Sequence, residues 1–251
     1  MHRFHVPLVA FLALSAYAAP LNIAEDDASG YGGSWAQNGG SGFRDWTFTN
    51  EGNEADRHSG FFIATTDNNK DLNGIAKDGK AFGLFANGSG FEHAVAYRSF
   101  EKPLQVGDSF SFMVETGQFE KKSEKDTAGG GAIGLVLRSG NANSSVEDYN
   151  KGAMFEIGHY QGKSTYQVFD GSEKSDSGVP FTEDGITVTV TVTGSDTYDL
   201  EIQTMKDKNV TQLPGRKFSS SGDVESFAIF NRNGEKHDAY FNQFQVARDE
   251  K

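Results

Sequence analysis

Three short stretches interleave ionisable side chains with apolar ones at a period of two, the spacing that sorts a strand's residues onto opposite faces. In Phe110-Ser-Phe-Met-Val-Glu115, residues Phe110, Phe112 and Val114 belong to one face and Glu115 to the other. In Met154-Phe-Glu-Ile-Gly-His-Tyr160, Phe155 and Ile157 oppose Glu156 and Tyr160. In Ala132–Arg138, Ile133, Leu135 and Leu137 oppose Arg138. If these strands are neighbours in one sheet, Glu115, Arg138, Glu156 and Tyr160 line one groove, with Arg98 and Gln167 as additions. Carboxylates and guanidinium groups offer charge-assisted, often bidentate hydrogen bonds to sugar hydroxyls, and a phenol offers a flat apolar surface to a pyranose ring. The plain alternative is a solvated sheet face carrying cross-strand ion pairs. Trp35, in the Gly-rich run Gly30–Phe43, reads either as a sugar platform or as a core anchor; Trp46, in a strand with Phe48, reads as core.

Other chemistries have weaker support. Asp67, Asn69 and Asp71 place oxygen side chains at alternate positions of one loop, an arrangement able to wrap a hard cation such as Ca2+, although the central Gly and terminal Glu of the helix-loop-helix calcium site are missing. The six His are scattered without zinc-ligand spacing, and the absence of Cys excludes disulfides, thiolate metal sites and a Cys nucleophile. Glycoside hydrolysis needs two carboxyl groups across the scissile bond. The adjacent pairs Glu147-Asp148 and Glu183-Asp184 point to opposite faces if extended, so no strand presents two carboxylates on one side at short spacing.

The elements that must position these residues are strands. Helical periodicity is nearly absent after the first residues, and Ile186-Thr-Val-Thr-Val-Thr-Val-Thr193 alternates without a break, Ile186, Val188, Val190 and Val192 on one face and four Thr on the other. Further candidates lie at Trp46–Thr49, Gly60–Thr65, Phe82–Ala86, His93–Phe100, Ser109–Thr116, Ala132–Arg138, Ala153–Tyr160, Thr165–Phe169, Tyr198–Thr204, Gln212–Phe218, Ser226–Asn231 and Ala239–Ala247, each bounded by turn residues. Many short strands with turn signals between them predict an all-β antiparallel β-sandwich of a single domain. Phe241, Phe244 and Val246 cannot share a face under strict alternation, which predicts a β-bulge near Asn242-Gln243 and a C-terminal strand packed beside an N-terminal one.

Several segments, taken in order, resemble a group of secreted bacterial proteins with a concanavalin A-like lectin/glucanase jelly roll: Gly42-Phe-Arg-Asp-Trp-Thr-Phe48, Gly60-Phe-Phe-Ile63, Gly79–Ala86, Pro103–Phe112, Phe181–Ile186 and Ala239–Val246. The resemblance implies two curved antiparallel sheets whose first and last strands pair, with a concave face that carries the ligand in lectins and glycan-processing relatives. It implies no activity, because the fold hosts lectins, glycosidases, lyases and structural domains. The Glu-x-Asp-x-x-Glu string of laminarinase-type relatives does not occur, nor does the Gln-Ile-His motif of alginate lyases.

The first residues combine a basic start, the apolar run Leu8–Leu14 and the small-x-small sequence Ala16-Tyr17-Ala18, which reads as a secretory signal peptide over residues 1–18 ahead of a jelly-roll domain over 19–251. Secretion would place Asn87, Asn143 and Asn209, each in a sequon, within reach of N-glycosylation in a eukaryotic host. A net charge of −12 disfavours nucleic acid and anionic membranes as partners. The expectation is a secreted, lectin-like protein that binds an extracellular polysaccharide or glycan without turnover. The competing classes are a glycosidase or lyase with an atypical carboxylate pair, and a structural protein of a matrix or cell surface.

Overall fold

The computed structural model describes residues 20–36, 38–52, 58–88, 90–119, 130–140, 149–234 and 236–248. The expected signal-peptide segment 1–18 and the sequon at Asn143 lie outside the described residues. Among the latter, fifteen strands follow one another: β1 (Leu21–Asp26), β2 (Thr47–Gly52), β3 (Ser59–Thr65), β4 (Lys80–Ala86), β5 (Glu92–Leu104), β6 (Asp108–Thr116), β7 (Ala132–Arg138), β8 (Ala153–Tyr160), β9 (Thr165–Phe169), β10 (Asp176–Pro180), β11 (Ile186–Val192), β12 (Thr197–Thr204), β13 (Val210–Lys217), β14 (Val224–Arg232) and β15 (Ala239–Arg248). They form two antiparallel sheets. One has seven strands in the order β10-β9-β8-β7-β14-β5-β2; the other has eight, β13-β12-β11-β6-β15-β4-β3, with β1 pairing beside β4 on β15. Among the described residues no helix is long and apolar enough to cross a membrane.

The alternation read from the sequence sets which side chains meet between the sheets. Ile186, Val188, Val190 and Val192 of β11 and Phe110, Phe112 and Val114 of β6 pack against Ile133, Leu135 and Leu137 of β7, Phe155 and Ile157 of β8, and Phe227 and Ile229 of β14. Full burial of each such side chain stabilises the fold by about 1.5–3 kcal/mol. Both Pro-bearing strands at the sheet margins, β10 with Pro180 and β13 with Pro214, are edge strands, where a missing backbone N–H costs no ladder bond.

The C-terminal strand β15 pairs with β1, as predicted. Its register against β6 shifts between Asn242 and Gln245, and Gln243 takes a positive φ of 51°. This bulge lets Phe241, Phe244 and Val246 all reach the core. The buried Asn242 amide fills the irregularity, donating to the carbonyls of Ile75 and Lys80 at 2.9 and 2.8 Å while its oxygen accepts from the Ala28 amide at 3.1 Å.

Candidate functional site

The outer face of the seven-stranded sheet, turned away from the core, collects polar and aromatic side chains in cross-strand rows. One row runs Tyr97, Ala228, Val136, Glu156 and Phe169 across β5, β14, β7, β8 and β9; beside it run Val95, Phe230, Gly134, Gly158 and Gln167, then His93, Arg232, Ala132 and Tyr160. Arg138 stands on the same face opposite Ser226. Four of the expected site residues, Arg138, Glu156, Tyr160 and Gln167, therefore share one face, as the alternation in β7, β8 and β9 requires.

The rows are knitted by ring and charge contacts. The Arg138 guanidinium sits 5.1 Å from the Tyr97 ring centroid and donates to the Lys151 carbonyl at 2.9 Å. Tyr149, outside the strands, stacks on Phe230 at 4.4 Å and meets His93 edge-on at 5.0 Å, and Arg232 donates to its hydroxyl at 3.4 Å. The Tyr160 hydroxyl donates to Glu156 Oε1 past Gly158. Burial pushes the Glu156 carboxyl up to about 7, and the nearby Arg232 charge opposes the rise. Near neutral pH that group therefore exists in both forms, able to accept hydrogen bonds when ionised and to donate one when protonated. The middle of the face is closed: Tyr97, Val136 and Phe230 are fully buried. Its β9 margin is open, where Phe169 is 45 % exposed.

Three residues expected in this groove lie elsewhere. Glu115 is on the outer face of the other sheet, beside Tyr240, where its carboxylate accepts from the amides of Asn73, Gly74 and Ile75 at 2.6, 2.9 and 3.1 Å. β6 and β8 belong to different sheets, so no convergence of Glu115 with Glu156 exists, and Glu115 anchors a loop instead. Arg98 points into the core, ion-paired with Asp26, donating to the Arg44 carbonyl at 2.7 Å and lying over the rings of Phe43 and Trp46 at 5.0 and 4.9 Å. Trp35 is also core, packed among Trp46, Phe48, Phe61 and Phe82, with Trp46 buried as expected.

The Asp67, Asn69 and Asp71 loop does not assemble a cation site. The Asn69 amide donates to the Thr65 carbonyl at 2.9 Å, Asp67 faces solvent, and Asp71 turns to His237 Nδ1 at 3.2 Å. Among the described residues no group of three or more His, Asp or Glu is placed to hold a metal ion. Of the two sequon asparagines within the described residues, Asn87 has its side-chain oxygen against His58 Nδ1, whereas Asn209 is exposed between β12 and β13.

Tyr97, Tyr149, Phe169, Phe230 and Arg232 were not anticipated on this face. Phe169 follows from the rule that placed Gln167 there, two residues along β9. Tyr149 has no such signal, because it lies outside any strand.

The sheet order, the pairing of first with last strand and the two-layer core define a concanavalin A-like jelly roll. Neither a protein-family model nor a curated protein matches the chain. Solved structures do. The conserved carbohydrate esterase vb_24B_21 from Shiga toxin-encoding bacteriophage phi24B is similar over 92% of this chain and 100% of its own, at 12% identity and a TM-score of 0.50. Lectin II from Ulex europaeus aligns over 94% of this chain and 100% of its own, at 9% identity and a TM-score of 0.43. The Emp47p carbohydrate recognition domain aligns over 82% and 89%, at 13% identity and 0.42. At such identities the likeness shows a shared fold alone.

Proposed function

We propose that this chain is a secreted carbohydrate-binding protein that recognises glycans on the outer face of its seven-stranded sheet without turning them over. The observation that supports the reading is the open β9 margin of that face, where the exposed Phe169 ring, the half-buried Tyr160 ring and the Glu156 carboxyl, whose affinity for its proton is raised, lie together, while Tyr97, Phe230, Arg138 and Gln167 are buried behind them. Flat apolar rings with a few directed polar groups are what a pyranose, with its apolar faces and equatorial hydroxyls, requires. The phage structure of this fold carries a name that ties it to a carbohydrate substrate in that protein. The apolar N-terminal run and the small-x-small sequence support secretion.

Binding without catalysis is supported by the carboxylate count. Hydrolysis needs an acid and a base or nucleophile roughly 5–9.5 Å apart, and none of β7, β8, β9 and β10 carries more than one carboxylate. The side chains of Asn69 and Asp71 are engaged with Thr65 and His237, which leaves that loop without a ready cation site.

A glycan array probed with the purified chain, with and without EDTA, tests the reading. The expected result is retention on a restricted set of glycans that survives chelation. An array blank for every glycan would sink it. Sustained reducing-end or unsaturated-product release from laminarin, xylan, pectin or alginate that vanishes in Glu156→Gln would replace it with an enzyme.

A further inference from the structure

The open end of the face has a geometry of its own. Phe169 closes β9 in register with Glu156, and the Tyr160 ring meets it edge-on at 5.2 Å and 80°, so the two rings form a corner with the Glu156 carboxyl at its base. Tyr160 occupies Glu156 Oε1; no described protein group bonds Oε2. An exposed Phe would ordinarily be free to reorient, but the residue after it is fixed. The side chain of Asp170 is wholly buried and held by Arg216 through two hydrogen bonds of 2.8 and 3.0 Å, with the Tyr198 hydroxyl donating to the same carboxylate. Gly171 continues the clamp, its amide donating to the Lys217 carbonyl at 2.9 Å, at a point where a Cβ would lie 2.4 Å from the Phe218 carbonyl oxygen. The strand end that carries the ring is thus held by buried contacts, so a ligand need not order that backbone, and the ring itself rests against Tyr160.

Resting on the glycan-binding reading, we propose that Phe169, Tyr160 and Glu156 form a subsite for one neutral hexose ring, the apolar face of the sugar lying on Phe169 and its adjacent hydroxyls bonding Glu156 Oε2. One ring is the size the corner admits. Toward the sheet centre Val136 and Tyr97 are fully buried, and beyond β9 only the short edge strand β10 remains, carrying the exposed acid Asp176. The carboxyl at the base and Asp176 at the margin both disfavour an anionic sugar, and a polymer chain finds no further exposed ring along the row. The ligand is then a terminal or branch residue.

The test is calorimetric titration of the chain with methyl glycosides of glucose, mannose and galactose, and with di- to hexasaccharides of whichever binds. One methyl glycoside should bind, and lengthening should change the affinity by less than about threefold. Phe169→Ala should weaken binding roughly tenfold or more with unaltered circular dichroism, and Phe169→Tyr should retain it. Undiminished binding by Phe169→Ala, or affinity that climbs steadily with oligomer length, would refute the one-ring subsite while leaving glycan recognition intact. Failure of every glycan, on the array as in the calorimeter, would remove the reading beneath it as well.

Discussion

Glu115 illustrates how one carboxylate can resemble a ligand-binding group in sequence and serve the fold in space. Its two oxygens accept three consecutive amides of the loop after Leu72. Burial holds its carboxyl above the ordinary range, and the three N–H donors oppose that rise. Glu115→Ala leaves buried donors unpaired and is expected to cost about 3 kcal/mol of stability, read as a lower denaturant midpoint, while glycan affinity stays unchanged. A loss of affinity in a variant that is as stable as the parent would show that Glu115 touches ligand after all. Arg98 has the same lesson with the opposite sign. Alternation along Ala94-Val95-Ala96-Tyr97-Arg98 sends the larger Val95 and Tyr97 inward and the arginine out, yet the small residues face the core and Arg98 goes with them. A strand buried on both faces carries no alternation signal, so its polar member cannot be assigned from pattern alone. Removing one partner of so buried a pair, as in Arg98→Met, is expected to cost about 3–5 kcal/mol; a thermal midpoint unchanged from the parent would contradict it.

At the level of strands, the elements with strong alternation were legible nearly to the residue, and those without it were not. β7, β8 and β9 run over the spans their apolar periodicity predicts, because one face of each meets a dense core. β10 escaped notice because Gly178 and Pro180 both argue against a strand, and its place at an edge is what makes them tolerable. β1 has only weak alternation and is held by pairing with β15, a partner more than two hundred residues away in sequence. The β8 pattern also contains a constraint that periodicity does not show. Gly134 and Gly158 are paired across β7 and β8, and an added Cβ would lie 2.4 Å from the Ile157 carbonyl oxygen at the first and 2.2 Å from that of Ile133 at the second. The β7 and β8 backbones approach too closely for a side chain at either position. Gly158→Ala should therefore force the strands apart, costing about 1–3 kcal/mol and displacing Tyr160 relative to Glu156, so that glycan affinity falls together with stability. A variant that unfolds at the parent's denaturant concentration would show that the strands accommodate the methyl group.

Across the whole molecule, the absence of Cys places stability on the core between the sheets, and that core contains a histidine that responds to mild acid. His159 is fully buried, stacked between Phe119 at 5.2 Å and Phe181 at 3.9 Å, and neither ring nitrogen has a hydrogen-bond partner among the described residues. Burial alone pushes its imidazole down from 6.5 to about 4. The folded protein thus binds that proton more weakly than the unfolded chain does. The stabilisation is complete above about pH 6.5 and is lost as the pH falls through 6.5 toward 4, amounting to about 2 kcal/mol by pH 5 and about 3 kcal/mol by pH 4. Carboxyls slope the other way: Glu156, raised to about 7, Asp238, raised to about 6, and Asp26 and Glu115, also raised by burial, all favour the folded state as the pH falls. The protein's own pH profile is a sum of these and cannot isolate the histidine, but a difference between two chains that share these carboxyls can. His159→Phe keeps the three-ring stack, abandons no hydrogen bond and cannot be protonated. Urea unfolding of the two proteins should give similar free energies at pH 8 and a gap in favour of the variant that opens to about 2 kcal/mol at pH 5. A gap of constant size from pH 8 to pH 5 would mean that the imidazole takes up its proton as readily inside the core as in water, and that the aromatic stack opens to let it do so.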